Sequence, residues 1–360
     1  MLLALVILGS TAGVLGLNGV GRTGTWTATH WLFSYEHGFV KRGLVGTLLA
    51  QIFDTVTIRT VTNLYFGFVG LAVAMLGFLI WRTLLRAATG PTALVLACFL
   101  VTSPGALQQW LRDLGRFDVF GFILICLTFM VVRRAGATVG LVAVSICATL
   151  AVLTHEGFLF WVAPMGLAFW VWQHAPTPRN FALATCALVC LFVVTAWVSG
   201  TSYSDRFAFD DAKSELQSRA EFTVNQRSLM VHYRSFAENI SYTTERAWTS
   251  ERLLGQVLGS AYLIFMALWL FARNWNRRTA VLLVACVGPL GLLPLGHDLA
   301  RWFAMIACNL LFASLLVVSS DPARLHPPAM PNVALLWLGV IANCVLGPFG
   351  VTLVFPNVTQ

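Results

Sequence analysis

Ionisable residues recur in this chain where apolar runs give out. Gly296-His297-Asp298-Leu299-Ala300-Arg301-Trp302 lies between two such runs, His155-Glu156 interrupts another, and Glu36-His37 is followed closely by Lys41-Arg42. Arg112-Asp113-Leu114-Gly115-Arg116-Phe117-Asp118 forms a fourth cluster, and the polar stretch from Gly200 to Arg252 a fifth. In a helical turn His297 and Arg301 are i,i+4 neighbours and Asp298 and Arg301 are i,i+3 neighbours, so three polar groups share a face. A carboxylate beside a histidine can act as a general base toward an acceptor hydroxyl. Arginine binds phosphate through its planar fork, and lysine binds it as a point charge.

The elements that must carry these groups follow from composition. Apolar residues make up 58% of the 360-residue chain and charged residues 11%. Uncharged runs of about 18 residues or more suit a bilayer and not water. The expected fold is all-α, a polytopic transmembrane bundle of about eleven spans forming a single membrane domain over residues 1–360. Apolar runs fall at about 1–20, 63–81, 91–104, 119–132, 136–154, 157–173, 180–199, 253–272, 279–296, 302–319 and 333–355. From Gly136 to Gln173 the chain is too long for one helix, since roughly 38 residues would reach about 57 Å. It must turn, and His155-Glu156 marks the place. The run at 91–104 is short and ends at Ser103-Pro104-Gly105, which reads as a broken or re-entrant helix.

Loop charges orient the bundle. Alternate loops hold Arg82 and Arg86, Arg133 and Arg134, Arg179, Arg273 with Arg277 and Arg278, and Arg324, with Asp321 their only acid. The positive-inside rule makes those loops cytoplasmic. The N-terminus is then cytoplasmic, the C-terminus is outside, and all five polar clusters face out. The formal net charge of +8 belongs to the cytoplasmic rim, so no nucleic-acid partner is implied. The expected location is the cytoplasmic (inner) membrane of a bacterium. Residues 21–61 read as a first outer loop with an interfacial amphipathic helix at Leu44–Phe53, and residues 200–252 as a large outer loop capping a cavity. Within that loop Glu215 and Arg219 fit an i,i+4 pair, and His232 and Arg234 stand out. The eight cysteines all lie in apolar runs, where free cysteine behaves as a small hydrophobe.

Carboxylates, imidazoles and several cations at one membrane face suit a transferase that uses a polyprenyl-phosphate or polyprenyl-diphosphate sugar donor and a glycan or lipid acceptor. No phosphate-binding loop, nucleophile elbow or zinc helix motif competes. In this expectation Glu36 or Glu156 is the base and His155 or His297 orients it. Lys41, Arg42, Arg116 and Arg301 hold the lipid phosphate, and Asp118 and Arg234 complete the candidate substrate-binding set. Asp113 and Asp298 steady the arginines or could bind a divalent cation with oxygen ligands. No cofactor is required, since Arg and Lys can stabilise the leaving phosphate.

The layout resembles the GT-C-type membrane glycosyltransferases and the related O-antigen polymerases of bacterial envelopes. The resemblance rests on a first helix, an outer amphipathic segment with Tyr35-Glu36-His37 and Lys41-Arg42-Gly43, and the short motifs Arg112-Asp113-Leu114-Gly115-Arg116 and His155-Glu156. It implies a catalytic acid in the first outer loop, for which Glu36 is the match with Asp54 behind it. It also implies outer-loop arginines, for which Arg116, Arg234 and Arg301 are the counterparts. Two other classes compete. A transporter or flippase for a lipid-linked or anionic substrate fits the Gly/Pro-interrupted runs at Gly288-Pro289 and Gly347-Pro348. A membrane acyltransferase could use an outer-face histidine.

Overall fold

The computed structural model describes residues 8–9, 11–13, 20–36, 38–86, 91–205, 207–234, 237–238, 240–241, 260–268, 275–294, 298–320 and 333–346. These residues are helical, with no strand among them beyond one isolated bridge between Val56 and Ala220. In chain order the helices are α1 Thr25–His30, α2 Gly43–Ala50, α3 Ile58–Ile80, α4 Pro91–Val101, α5 Gln109–Arg112, α6 Asp118–Val132, α7 Ala137–Thr154 and α8 Val162–His174. They continue as α9 Pro178–Gly200, α10 Phe209–Ser218, α11 Gln226–Met230, α12 260–268, α13 Arg277–Cys286, α14 Leu299–Ser320 and α15 Val333–Leu346. Among the described residues five stretches are long and apolar enough to cross a membrane: Ile58–Leu85, Thr92–Arg112, Ala137–Thr154, Pro178–Gly200 and Leu299–Ser320. On α9 the residues Val189, Phe192, Val193 and Trp197 are all exposed. An apolar face of that size belongs against lipid, and the chain is an integral membrane protein.

The chain divides into two compact units. One comprises Met1–Gly21, Leu71–Arg112 and Tyr242–Gln360, and the other Arg22–Gly70 and Asp113–Ser241. In the first, α14 is buried along nearly its whole length from Arg301 to Val318. The helix begun by α4 breaks there: Pro104 has no N–H to donate, and Ala106 leaves helical dihedrals at φ −125°, ψ −116°. Side-chain amides take up the freed carbonyls, Gln108 Nε2 donating to Thr102 O at 2.7 Å and Asn343 Nδ2 to Phe99 O at 3.3 Å. Inside a bilayer such substitution is required, because no water is there to do it. The span therefore resumes after the break and runs to Arg112, beyond the expected end at 104. Gly105 sits against α14 so closely that a Cβ would lie 2.3 Å from Ala304 O.

The second unit is built on α6 to α9, joined by short links and packed antiparallel, as short connections require. Gly136 opens α7, and Thr177 caps α9 by accepting from Asn180 N–H at 3.2 Å ahead of Pro178 at the first helical position. Trp170 Nε1 donates to Ala137 O at 2.7 Å, which seats the end of α8 against the start of α7. One end of this group thus carries Arg133, Arg134 and Arg179, and the opposite end Asp118, His155, Glu156 and Thr201. At that second end Ala148, Val152, Leu159, Ala163, Leu191 and Val198 form a hydrophobic cluster that holds the corner between α7 and α8.

The stretch from Arg22 to Gly70 covers the same end. Trp31 Nε1 donates to Gly115 O at 2.6 Å, and Val56 N–H donates to Arg219 O at 2.8 Å. Within α2 only glycine fits at 46: a Cβ there would stand 2.1 Å from Phe33 O and 2.8 Å from Trp31 O. Backbone cannot move aside as a side chain can. Gly46→Ala should cost about 1–3 kcal/mol through overpacking, read as a lower midpoint in thermal unfolding of the detergent-solubilised protein; an unchanged midpoint would refute this close approach of α2 to the preceding backbone.

Candidate functional site

Helix α7 ends because His155 turns extended, at φ −160°, ψ 120°. Its Nδ1 accepts from Gly157 N–H at 3.1 Å and so caps the 3₁₀ turn Glu156–Phe160. That turn delivers Glu156 to Arg42. The guanidinium grips the carboxylate at two atoms, Nε lying 2.9 Å from Oε2 and 3.1 Å from Oε1 while Nη2 also bonds Oε1. His155 Nδ1 stands 3.8 Å from Glu156 Oε2. Arg42 reaches this position from the left-handed region at φ 62°, where a non-glycine residue is strained, a condition that gathers at functional sites. Lys41 N–H donates to Thr201 O at 3.2 Å, which ties the basic pair to the end of α9.

Burial pushes the Glu156 carboxyl up, but Arg42, His155 and Lys41 outweigh it and hold the group well below the usual carboxylate range. Glu156 is therefore ionised at neutral pH. Lys41 is only 8% exposed, and among the described residues its ammonium has no hydrogen bond or ion pair. Burial lowers its pKa, and Glu156 counters. Asp205 counters it as well, yet burial prevails.

Around this cluster lies an aromatic wall. His30 on α1 packs edge-on between Trp26, at 4.4 Å, and Phe33, at 5.5 Å. His232, just past α11, packs edge-on against Phe33 at 4.3 Å and Tyr203 at 5.4 Å. Both histidines are buried, and none of their four ring nitrogens has a hydrogen-bond partner among the described residues. Leaving a buried donor or acceptor unmade costs about 1–3 kcal/mol. Arg116 lies over Trp26 at 4.2 Å and its Nε is 3.1 Å from Asp113.

Burial first, then Arg42, Arg116, His155 and His232, hold His30 well below the ordinary imidazole value; burial, then Lys41 and Arg42, do the same for His232. The folded chain then binds fewer protons than the unfolded one below about pH 6.5. Stability from these two groups is complete above that pH and falls as the pH drops, by up to about 1.4 kcal/mol per pH unit for each histidine. Thermal unfolding should show a midpoint lower at pH 5.5 than at pH 7.5, and the difference should shrink in His30→Gln and His232→Gln; a flat profile would contradict neutral burial.

No protein-family model matches the sequence, and comparison with curated proteins finds no match. The chemistry must therefore be read from the residues themselves.

Of the expected site residues, the fold brings Lys41, Arg42, His155 and Glu156 together, with Arg116, paired to Asp113, close enough to act on His30. Asp118 is buried in the first turn of α6. Glu36 is turned away: its side chain is 56% exposed and its carboxylate faces Arg219 at 3.8 Å. Arg219 also donates to Ser34 Oγ at 2.9 Å and Leu32 O at 3.2 Å, fastening the loop after α10 to the first segment. Arg234 is half-buried in the turn after α11, its N–H donating to Met230 O at 3.1 Å. Asp298 and Arg301 belong to the first unit, where Asp298 O accepts from Arg301 N–H at 2.9 Å and Arg301 lies 5.4 Å over Trp302. His297, like His37, lies outside the described residues. Among the described residues no group of three or more His, Cys, Asp and Glu is placed to hold a metal ion.

Sequence reasoning singled out His232 but passed over His30. A lone imidazole among threonines and tryptophans has no spacing that marks it, and its relation to Arg42 and Arg116 exists only in three dimensions.

Proposed function

We propose that this protein is a membrane glycosyltransferase or glycan polymerase that uses a polyprenyl-(di)phosphate-linked sugar at the outer face of the bacterial cytoplasmic membrane. The observation that carries this reading is the buried meeting of Lys41 with the Arg42–Glu156 pair at the end of α7. The full reading includes eleven spans in a single membrane domain, an N-terminus inside, a C-terminus outside, and the loops at 21–61 and 200–252 outside.

In the proposed reaction an acceptor hydroxyl attacks the anomeric carbon of the donor. The bond from that carbon to the phosphate oxygen breaks, and its electron pair leaves with the polyprenyl (di)phosphate. Glu156, already ionised, takes the hydroxyl proton, and His155 orients it through the turn that its Nδ1 caps. Glu156 is preferred to Glu36 because it is enclosed by cations, whereas Glu36 is exposed. Lys41 and Arg116 receive the charge developing on the leaving phosphate, a stabilisation worth most where water is excluded. Arg42 can serve both groups, and as it turns toward the phosphate the carboxylate regains basicity. In this reading no metal is needed.

The deciding experiment reconstitutes the purified chain in liposomes with a labelled polyprenyl-diphosphate sugar and an acceptor glycan, and measures released polyprenyl (di)phosphate. Release that depends on acceptor supports the transferase. Movement of the intact donor between leaflets without cleavage of the carbon–oxygen bond would instead support a transporter or flippase, the reading favoured by the break after α4, where Gln108 and Asn343 of α15 are buried.

A further inference from the structure

We propose that His30 and His232 are part of the anion site, each presenting a ring nitrogen to the phosphoryl group of the substrate and together taking up a proton as that group binds. This rests on reading the Lys41–Arg42 cluster as a phosphate site and adds the two residues that complete it.

The geometry is unusual for core histidines. Every ring contact of the pair is edge-on, at 73° and 72° for His30 with Trp26 and Phe33, and at 60° and 79° for His232 with Phe33 and Tyr203. Such contacts hold the rings without occupying a ring nitrogen. Buried imidazoles in a protein core ordinarily use theirs in hydrogen bonds; these four have none among the described residues.

The surroundings select the ligand. His30 lies in the field of Arg42, Arg116, His155 and His232, and His232 in that of Lys41, Arg42 and Glu156. Glu156 is the one carboxylate among them and is already bound by Arg42. A further cation would be repelled by Lys41, Arg42 and Arg116, and a neutral ligand would gain nothing from their charge. A phosphoryl group supplies acceptor oxygens for the ring N–H donors and negative charge for Lys41. That same charge favours imidazolium over imidazole, so a proton enters from solvent onto a ring nitrogen when the anion arrives.

The test is titration calorimetry of the full-length protein in detergent at pH 7, in buffers of different ionisation enthalpy. Inorganic pyrophosphate and farnesyl diphosphate are the two probes. The expected result is uptake of roughly one proton per bound anion. Uptake with the prenyl probe alone also supports the proposal and assigns the phosphoryl group to a lipid-linked source. His30→Gln and His232→Gln should each weaken binding by roughly tenfold and reduce the uptake. Because either variant could misfold, nitrogen-15 spectra of histidine-labelled wild-type protein supply a second readout, in which pyrophosphate should convert neutral rings to imidazolium. Binding that is weakened by Lys41→Met yet brings no proton uptake and no imidazolium signal overturns the histidine proposal and leaves the phosphate site standing. Failure of both probes to bind the wild-type protein overturns both.

Discussion

Glu156→Ala removes turnover and destabilises the protein together, and the two effects have separable causes. Loss of the base should lower kcat/KM by roughly 10³-fold, within the range that general-base catalysis supplies. The truncation also strands Arg42, whose guanidinium now holds the carboxylate at two atoms in a largely buried setting. Breaking such a pair from one side costs about 3 kcal/mol. Replacing both members, Arg42→Met with Glu156→Leu, should recover most of the stability, since neither charge is then left uncompensated, and none of the turnover. Thermal unfolding and single-turnover product release read the two quantities independently. Wild-type turnover in Glu156→Ala would remove the residue from the reaction; a double variant no more stable than the single one would show that the pair is not what holds the corner after α7.

Lys41→Met should move function and stability in opposite directions. Methionine is close to lysine in volume and carries no charge, so it fills the same buried space without the desolvation that depresses the Lys41 ammonium. Stability should stay level or rise by about 1 kcal/mol, while the specificity constant falls by roughly 10²-fold or more as the phosphate loses its unshared cation. Lys41→Arg is not a neutral control, because a planar fork does not occupy the place of a point charge. A variant that is less stable than wild type yet equally active would mean that Lys41 is a packing residue whose charge is already satisfied.

Much of the second unit is legible without coordinates. The turn at His155-Glu156 follows from length alone, and the helices found on either side, Ala137–Thr154 and Val162–His174, bracket it. Expecting 91–104 to be broken was right in kind, because proline cannot donate. Its continuation to Arg112 was not readable, since it depends on Gln108 and Asn343 reaching the carbonyls that the break releases. The i,i+4 spacing of Glu215 and Arg219 points to a helix after residue 200, and α10 is there, ending at Ser218. Arg219, read from spacing as a partner for Glu215, reaches instead to Leu32, Ser34 and Glu36. Spacing along a helix reports only neighbours on that helix.

Composition and the run lengths of apolar residues decide that this is an all-helical membrane protein, because a backbone in hydrocarbon must satisfy its own hydrogen bonds and a helix does so within one segment. Which charges become chemistry is a different matter. Glu36 and Glu156 are equivalent as letters, yet one faces solvent beside Arg219 and the other is enclosed by Arg42, Lys41 and His155. Arg42 and Glu156 are 114 positions apart. Electrostatic interaction falls with distance in space and strengthens as water is excluded, and neither quantity is written in the order of the residues.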